Sequence, residues 1–133
     1  MTTTPDFLLG TWVYRSFLSI LDVKSPFDKL EFGVGEIRID AAPMNVFTGL
    51  IYGEGWELGL TGSINYGNPV TLRFQGRGVV DNEEWIYDYE GYVVRPWPNG
   101  VDQVSAIVGT IVRTIPHGAS PAGVVAQWIA LKH

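Results

Sequence analysis

Hydrophobic and polar residues alternate along residues 84–95, which read Glu-Trp-Ile-Tyr-Asp-Tyr-Glu-Gly-Tyr-Val-Val-Arg. At a period of two, one face of this stretch carries Trp85, Tyr87 and Tyr89, and the other carries Asp88 and Glu90. A period of two is typical of a β-strand, because successive side chains point to opposite faces of the sheet. The pattern therefore predicts a strand with one aromatic face and one acidic face.

Seven further stretches have strand-like patterns and are separated by short, turn-rich segments. They cover approximately 8–17, 30–40, 46–52, 56–64, 70–80, 101–115 and 123–132. Eight strands with short connections and no long helix predict an all-β fold. We expect a single antiparallel up-and-down barrel over residues 1–133, with 1–7 as a loose N-terminal segment, and a β-sandwich is the alternative.

The triplet Gly10-Thr11-Trp12 lies just inside the first predicted strand. A Gly-x-Trp triplet at this place in an eight-stranded meander resembles the calycin superfamily, which includes lipocalins and avidins. Glycines inside aromatic-rich strands, such as Gly62, Gly76 and Gly91, are also similar to avidin-type barrels. In lipocalins the tryptophan lies near the closed end of the barrel and a basic residue from a late strand packs over it. The final strand of this chain offers only Lys132 for that place, while Arg113 ends the strand before it. The resemblance implies a calycin-like barrel, without implying a particular ligand.

The chemistry of the strand faces constrains their pairing, because facing residues of an antiparallel pair lie on the same side of a sheet. Pairing Arg77 with Asp88 makes one face of the fifth and sixth strands polar and the other apolar. Pairing Val94 with Val101 continues the polar face into the seventh strand. These registers predict a polar stripe with the members Arg73, Gln75, Arg77, Asp88, Glu90, Tyr92, Gln103 and Ser105.

The polar stripe allows two interpretations. It can form the solvated outer wall of the barrel, which we favour because antiparallel sheets commonly have one face in water. It can instead line a cavity, where a few polar groups orient a mostly apolar ligand.

In the cavity interpretation, Asp88, Glu90 and Tyr92 are the candidate catalytic residues, because neighbouring carboxylates on one strand face suit acid–base chemistry. A structural ion-paired role of the carboxylates is favoured over catalysis. His117 is most simply a loop histidine, with a proton shuttle at the barrel rim as its catalytic alternative. The candidate ligand-binding residues are Arg73, Gln75, Gln103, Ser105, Tyr14 and Trp56.

Composition narrows the possible partners. A formal net charge of −5 and the absence of a basic cluster argue against nucleic-acid binding. The chain has no cysteine and only two histidines, His117 and His133, so we expect neither a metal site nor a cofactor. We see no signal peptide and no membrane span in the sequence, which predicts a cytoplasmic protein without membrane contacts.

Three functional hypotheses follow from the apolar character of the chain, which is 46% hydrophobic. The favoured one is a barrel that binds an apolar or aromatic small molecule. The second is a cofactor-free cyclase or isomerase, similar to the allene oxide cyclase type of barrel, acting on a flexible natural-product or lipid substrate. The third is an oligomeric interaction module without a cavity. Because the last two strands are apolar on both faces, we expect a homo-oligomer formed through them.

Overall fold

A computed structural model describes residues 4–133 and shows a closed barrel of eight antiparallel strands. Each strand pairs with the next one along the chain, and the eighth closes the barrel on the first. The elements are β1 (Gly10–Leu18), α1 (Phe27–Leu30), β2 (Glu31–Asp40), β3 (Val46–Gly53), β4 (Trp56–Asn65), β5 (Thr71–Val80), β6 (Glu83–Val94), β7 (Ala106–Arg113) and β8 (Val125–Lys132). The predicted all-β up-and-down barrel is confirmed, and the sandwich alternative is wrong.

One end of the barrel is closed around Trp12. This side chain is fully buried, and its Nε1 donates a hydrogen bond to the carbonyl oxygen of Leu8 over 3.0 Å. The ammonium group of Lys132 lies 5.1 Å from the centre of a ring of Trp12 and donates to the carbonyl oxygen of Leu9. A cation over an indole face is attracted by the ring quadrupole. Lys132 therefore lies where the calycin resemblance implies a basic residue.

The N-terminal segment covers this closed end. Of the predicted loose segment 1–7, residues 1–3 lie outside the described residues. From Thr4 onward the chain is packed, because Thr4 is buried and its backbone N–H donates to the carbonyl oxygen of Ala42 over 3.1 Å. Phe7 packs against the core, and the guanidinium of Arg95 lies 4.3 Å from the centre of its ring. The opposite end, where β1, β3, β5 and β7 terminate, carries the interior cavity described below.

The turn between β5 and β6 corrects the predicted register. Asp81 and Asn82 form a two-residue turn, and their φ angles are +51° and +64°. Two left-handed residues are typical of the type I′ turn, whose twist matches that of the flanking strands. Arg77 consequently pairs with Ile86, so the predicted pairing of Arg77 with Asp88 is wrong by two residues. A shift of two residues keeps every side chain on its predicted face.

The loop between β6 and β7 corrects the second register. The last residue of β6 pairs with Ala106, and the predicted pairing with Val101 is wrong. Asp102 interrupts an extended chain with a φ of +51°. The side-chain oxygen of Gln103 accepts a hydrogen bond from the backbone N–H of Trp97 over 2.6 Å. The segment 95–105 is therefore a folded loop, and the seventh strand starts later than its hydrophobic pattern indicates.

Among the residues that the structure describes, no helix is long and apolar enough to cross a membrane. Within the same residues, no group of three or more histidine, aspartate or glutamate side chains could hold a metal ion. The cytoplasmic location stays a prediction.

Candidate functional site

The polar stripe lies on the outer wall of the barrel. Asp88 and Glu90 are exposed and Tyr92 is 46% exposed, whereas Tyr87 and Tyr89 on the opposite face of β6 are buried. The favoured interpretation of the stripe as a solvated outer face is confirmed. The three candidate catalytic residues, Asp88, Glu90 and Tyr92, therefore point away from the barrel interior.

The side chains of the stripe bind one another in pairs. Arg73 forms an ion pair with Glu90, and the side-chain amide of Gln75 donates to Asp88 over 2.9 Å. The side chains of Arg73 and Glu90 are 77% and 56% exposed. Ion pairs this exposed contribute only about 0–1 kcal/mol to stability. Four of the predicted site residues are thus brought together, in an arrangement that suits a structural role.

Two predicted ligand-binding residues fall outside the stripe. Gln103 lies in the loop before β7, and Ser105 directly precedes that strand. The corrected register places Thr110 opposite Glu90, where Ser105 was predicted. Neither Gln103 nor Ser105 is part of the sheet surface that Glu90 shares with its neighbours.

A groove of about 870 Å³ crosses the outer wall over Gly91 and Gly109 and is lined mainly by outward-facing residues. Arg73 and Glu90 lie at its margin. These two charged side chains are already paired with each other. The groove therefore offers a ligand little uncompensated charge.

A second cavity, of about 200 Å³, lies inside the barrel at the end opposite Trp12. Phe32, Trp56 and Leu58 form apolar walls. The inward face of β6 forms another wall, because Trp85, Tyr87 and Tyr89 alternate with the exposed carboxylates along that strand. Tyr14 completes the lining from β1. Two of the predicted ligand-binding residues, Tyr14 and Trp56, therefore line this cavity.

A cluster of three polar side chains stands at the mouth of this cavity. Arg113 pairs with Tyr87 across β6 and β7, and its Nε donates to the Tyr87 hydroxyl over 3.1 Å. The Tyr87 oxygen lies 2.8 Å from Nε2 of His117. The ring of His117 stacks on Trp85, with centroids 4.3 Å apart and planes 16° apart. A phenol oxygen that accepts from Arg113 can donate its own proton to His117.

The protonation states of this cluster follow from burial and charge. The pKa of His117 is lowered, first by burial and then by the positive charge of Arg113. The carboxylate of Glu83 opposes this shift, and it also accepts a hydrogen bond from the backbone N–H of Gly118 over 2.7 Å. A lowered pKa keeps the imidazole neutral near neutral pH. His117 can therefore accept a hydrogen bond from the Tyr87 hydroxyl. The positive charge of the cluster comes from Arg113.

Two more phenols lie deeper in the cavity. Burial raises the pKa of Tyr14 to about 12 and raises the pKa of Tyr89 well above its usual value. Both hydroxyls consequently keep their protons near neutral pH. The deep part of the cavity offers neutral hydroxyl groups.

Sequence reasoning considered His117 as a residue of the barrel rim but did not connect it with Tyr87 and Arg113, for identifiable reasons. Trp85 and Tyr87 lie on the aromatic face that the sequence predicts for β6. This alternating pattern was the sequence feature that could have placed them beside an interior cavity. The place of Arg113 depends on the register of β7, which the loop before it conceals. His117 lies in a loop that is shaped by reciprocal backbone hydrogen bonds with Ser120 of 3.0 and 2.9 Å, and hydrophobic periodicity carries no information about such a loop.

The outer face of the last two strands is mainly apolar and is interrupted by the polar pair of Thr110 and Gln127. Val112 pairs with Val125, and Val108 pairs with Ile129. Association through this face stays a prediction: we expect sedimentation velocity to show an oligomer that Val125→Lys dissociates. Val79→Lys is the matched control, because Val79 is an exposed valine on β5. A wild-type monomer, or equal effects of the two substitutions, would contradict the interface.

Two features agree with the calycin resemblance, namely the closed barrel of eight antiparallel strands and the ammonium group of Lys132 over Trp12. Architecture alone shows neither an ancestry nor an activity. We compared the chain with protein-family models, with curated proteins and with solved structures, and none of the three comparisons produced a match.

Proposed function

We propose that this protein is a calycin-like barrel that binds a small molecule with an aromatic ring at the open end. The supporting observation is the interior cavity, which combines aromatic walls with the hydrogen-bonded cluster of Tyr87, Arg113 and His117. Small-molecule sites in proteins are typically concave and mostly apolar, with a few polar groups that orient the ligand.

The size of the cavity supports a compact ligand. A dry cavity of about 150 Å³ can bind benzene, so 200 Å³ suits one substituted ring. Below the cavity the barrel is filled, because Tyr89 stacks on Phe74 at 4.5 Å and lies 5.9 Å from Trp128 between ring centroids. A single ring is therefore favoured over a long lipid chain that would have to pass deeper into the barrel.

The polar groups of the cavity are held in place before any ligand arrives. Arg113 donates from Nη1 to the carbonyl oxygen of Pro121 over 3.1 Å and lies 5.1 Å from the centre of the Phe32 ring. Tyr87 is held by Arg113 on one side and His117 on the other. Groups fixed in advance lose little conformational entropy on binding, which raises affinity.

We expect single-ring compounds to bind wild-type protein and to bind Gly33→Val at least about tenfold more weakly, because overpacking excludes the ring. Gly33 lines the cavity, and a Cβ atom there would lie 3.6 Å from Cε1 of Tyr14. Calorimetric titration with toluene, benzyl alcohol, benzamide and benzoate measures the effect.

The matched control is Gly59→Val, which adds the same side chain to the outward face of β4. The nearest atom to a Cβ at Gly59 is the carbonyl oxygen of Arg77, at 3.7 Å. We expect this variant to bind like the wild type. Equal binding by the wild type and both variants would place the ring outside the cavity and contradict the proposal.

The same cluster supports a second candidate, a cofactor-free isomerase that works by proton transfer. A neutral His117 can take a proton from a bound compound while Tyr87 supplies one, and the 2.8 Å contact between the two groups lets a proton return from His117 to Tyr87. The N–H of Arg113 would stabilise negative charge on the Tyr87 oxygen. In this candidate the acid–base role passes from Asp88 and Glu90 to groups inside the barrel.

Deuterium exchange tests the isomerase candidate without knowledge of its product. We expect the protein to accelerate exchange of the methyl protons of acetophenone in D₂O, and His117→Gln to reduce this acceleration by about 100-fold or more. Glu90→Gln should leave it unchanged, because Glu90 is on the outer wall. Proton NMR follows the exchange. If Glu90→Gln lost the exchange and His117→Gln kept it, the acid–base groups would be the outer carboxylates. If the wild type showed no exchange, the isomerase candidate would be wrong and ligand binding would stand as the proposed function.

A further inference from the structure

Three side chains around the interior cavity can only donate hydrogen bonds. They are the indoles of Trp56 and Trp85 and the guanidinium of Arg113. The hydroxyls of the three lining tyrosines and the neutral imidazole of His117 can donate or accept. Among the residues that the structure describes, no aspartate or glutamate lines the cavity. A ligand that pairs with the donor-only groups must supply acceptors.

The indole N–H of Trp85 gives an independent indication of an acceptor. Its Nε1 is buried and has no hydrogen-bond partner within residues 4–133. Buried N–H groups are nearly always paired, so an exception calls for an explanation. Trp85 lies in the cavity wall, and a rotation of its ring that brings this N–H to the cavity surface would let an acceptor atom of a bound ligand complete the hydrogen bond.

Arg113 adds an uncompensated positive charge. The two ion pairs found within residues 4–133 join Arg38 to Asp40 and Arg73 to Glu90, and neither involves Arg113. The hydrogen bonds of Arg113 go to the Tyr87 hydroxyl and a backbone carbonyl group. Guanidinium groups bind carboxylates through strong, charge-assisted hydrogen bonds. The guanidinium of Arg113 therefore favours an anionic group at the mouth of the cavity.

We propose that the ligand is a monocyclic aromatic carboxylate. This inference rests on the proposed function and specifies its ligand class. The ring packs against Phe32, Trp56 and Leu58, and the carboxylate accepts hydrogen bonds from Arg113 and from Nε1 of Trp85. Both parts of the ligand are required, because the apolar walls favour the ring and the donor groups favour the anion.

The test compares benzoate with benzamide, which has nearly the same shape and no charge. Calorimetric titration near neutral pH should show wild-type protein binding benzoate at least about tenfold more tightly than benzamide, because charge-assisted hydrogen bonds are the stronger ones. Arg113→Gln should weaken benzoate binding by about tenfold or more and change benzamide binding by no more than about threefold. Arg15→Gln, which alters an exposed arginine of β1, is the matched control and should leave benzoate binding unchanged.

A second variant keeps the test decisive if Arg113→Gln does not fold. Trp85→Phe removes the indole N–H and keeps an aromatic side chain, and we expect it to weaken benzoate more than benzamide. Equal binding of benzoate and benzamide by the wild type, or tighter binding of benzylamine, would overturn the carboxylate inference and leave the ring-binding function standing. Failure of all single-ring compounds to bind would overturn the proposed function itself.

Discussion

Replacing Gly109 with alanine is expected to destabilise the barrel by about 3 kcal/mol or more, because this position cannot hold a side chain. A Cβ atom at Gly109 would lie 1.7 Å from the backbone carbonyl oxygen of Glu90. A backbone atom cannot rotate away, so the strands themselves would have to separate. Trp128 resists that separation, since its Nε1 donates to the carbonyl oxygens of Glu90 and Thr110 over 3.1 and 3.0 Å.

Urea denaturation followed by tryptophan fluorescence measures this effect. The matched control is Gly59→Ala, because a Cβ at Gly59 meets only an ordinary contact at 3.7 Å. Alanine in a strand interior is favoured over glycine by about 0.5–1 kcal/mol, so this variant should be as stable as the wild type or slightly more stable. Equal stabilities of the two variants would show that β6 and β7 do not approach each other as closely as described.

The barrel could be predicted because the alternation of side chains within each strand is a local feature of the sequence. The two faces of β6 follow from side-chain alternation alone, and a register error of two residues leaves them intact. The calycin resemblance implied that Trp12 lies near a closed end with a basic residue over it, and Lys132 lies there. The exact pairings were not predictable in the same way, because they depend on how tightly each connection turns. Asp81 and Asn82 close β5 and β6 with two left-handed residues, a conformation that these residue types tolerate but do not require.

The candidate site was predictable only in part. Tyr14 and Trp56 were selected from the sequence, and both line the cavity. The polar cluster was missed because it combines a strand end with a loop. Arg113 reaches Tyr87 only in the register that follows the folded loop 95–105, and His117 arrives from the loop after β7. Contacts between elements of this kind depend on tertiary structure, which a period-two pattern does not encode.

The two ends of the barrel differ in how completely their polar groups are satisfied. At the closed end, the indole of Trp12 and the ammonium of Lys132 both donate to backbone carbonyl groups. At the open end, the indole N–H of Trp85 has no partner among residues 4–133. Departures from full satisfaction are expected where a protein binds something else. The contrast supports a ligand at the open end and a structural role for the closed end.

That structural role predicts a large loss of stability in Trp12→Ala, by about 3–5 kcal/mol, as is typical when a buried tryptophan is truncated. The substitution removes a fully buried ring, its hydrogen bond to Leu8 and the aromatic face under Lys132. Chemical denaturation measures the free energy of unfolding, and Trp97→Ala is the matched control. Because Trp97 is 74% exposed, its truncation should change stability by no more than about 0.5 kcal/mol. If the two variants lost equal stability, Trp12 would not be the buried centre of the closed end, and one of the two structural features that agree with the calycin resemblance would be lost with it.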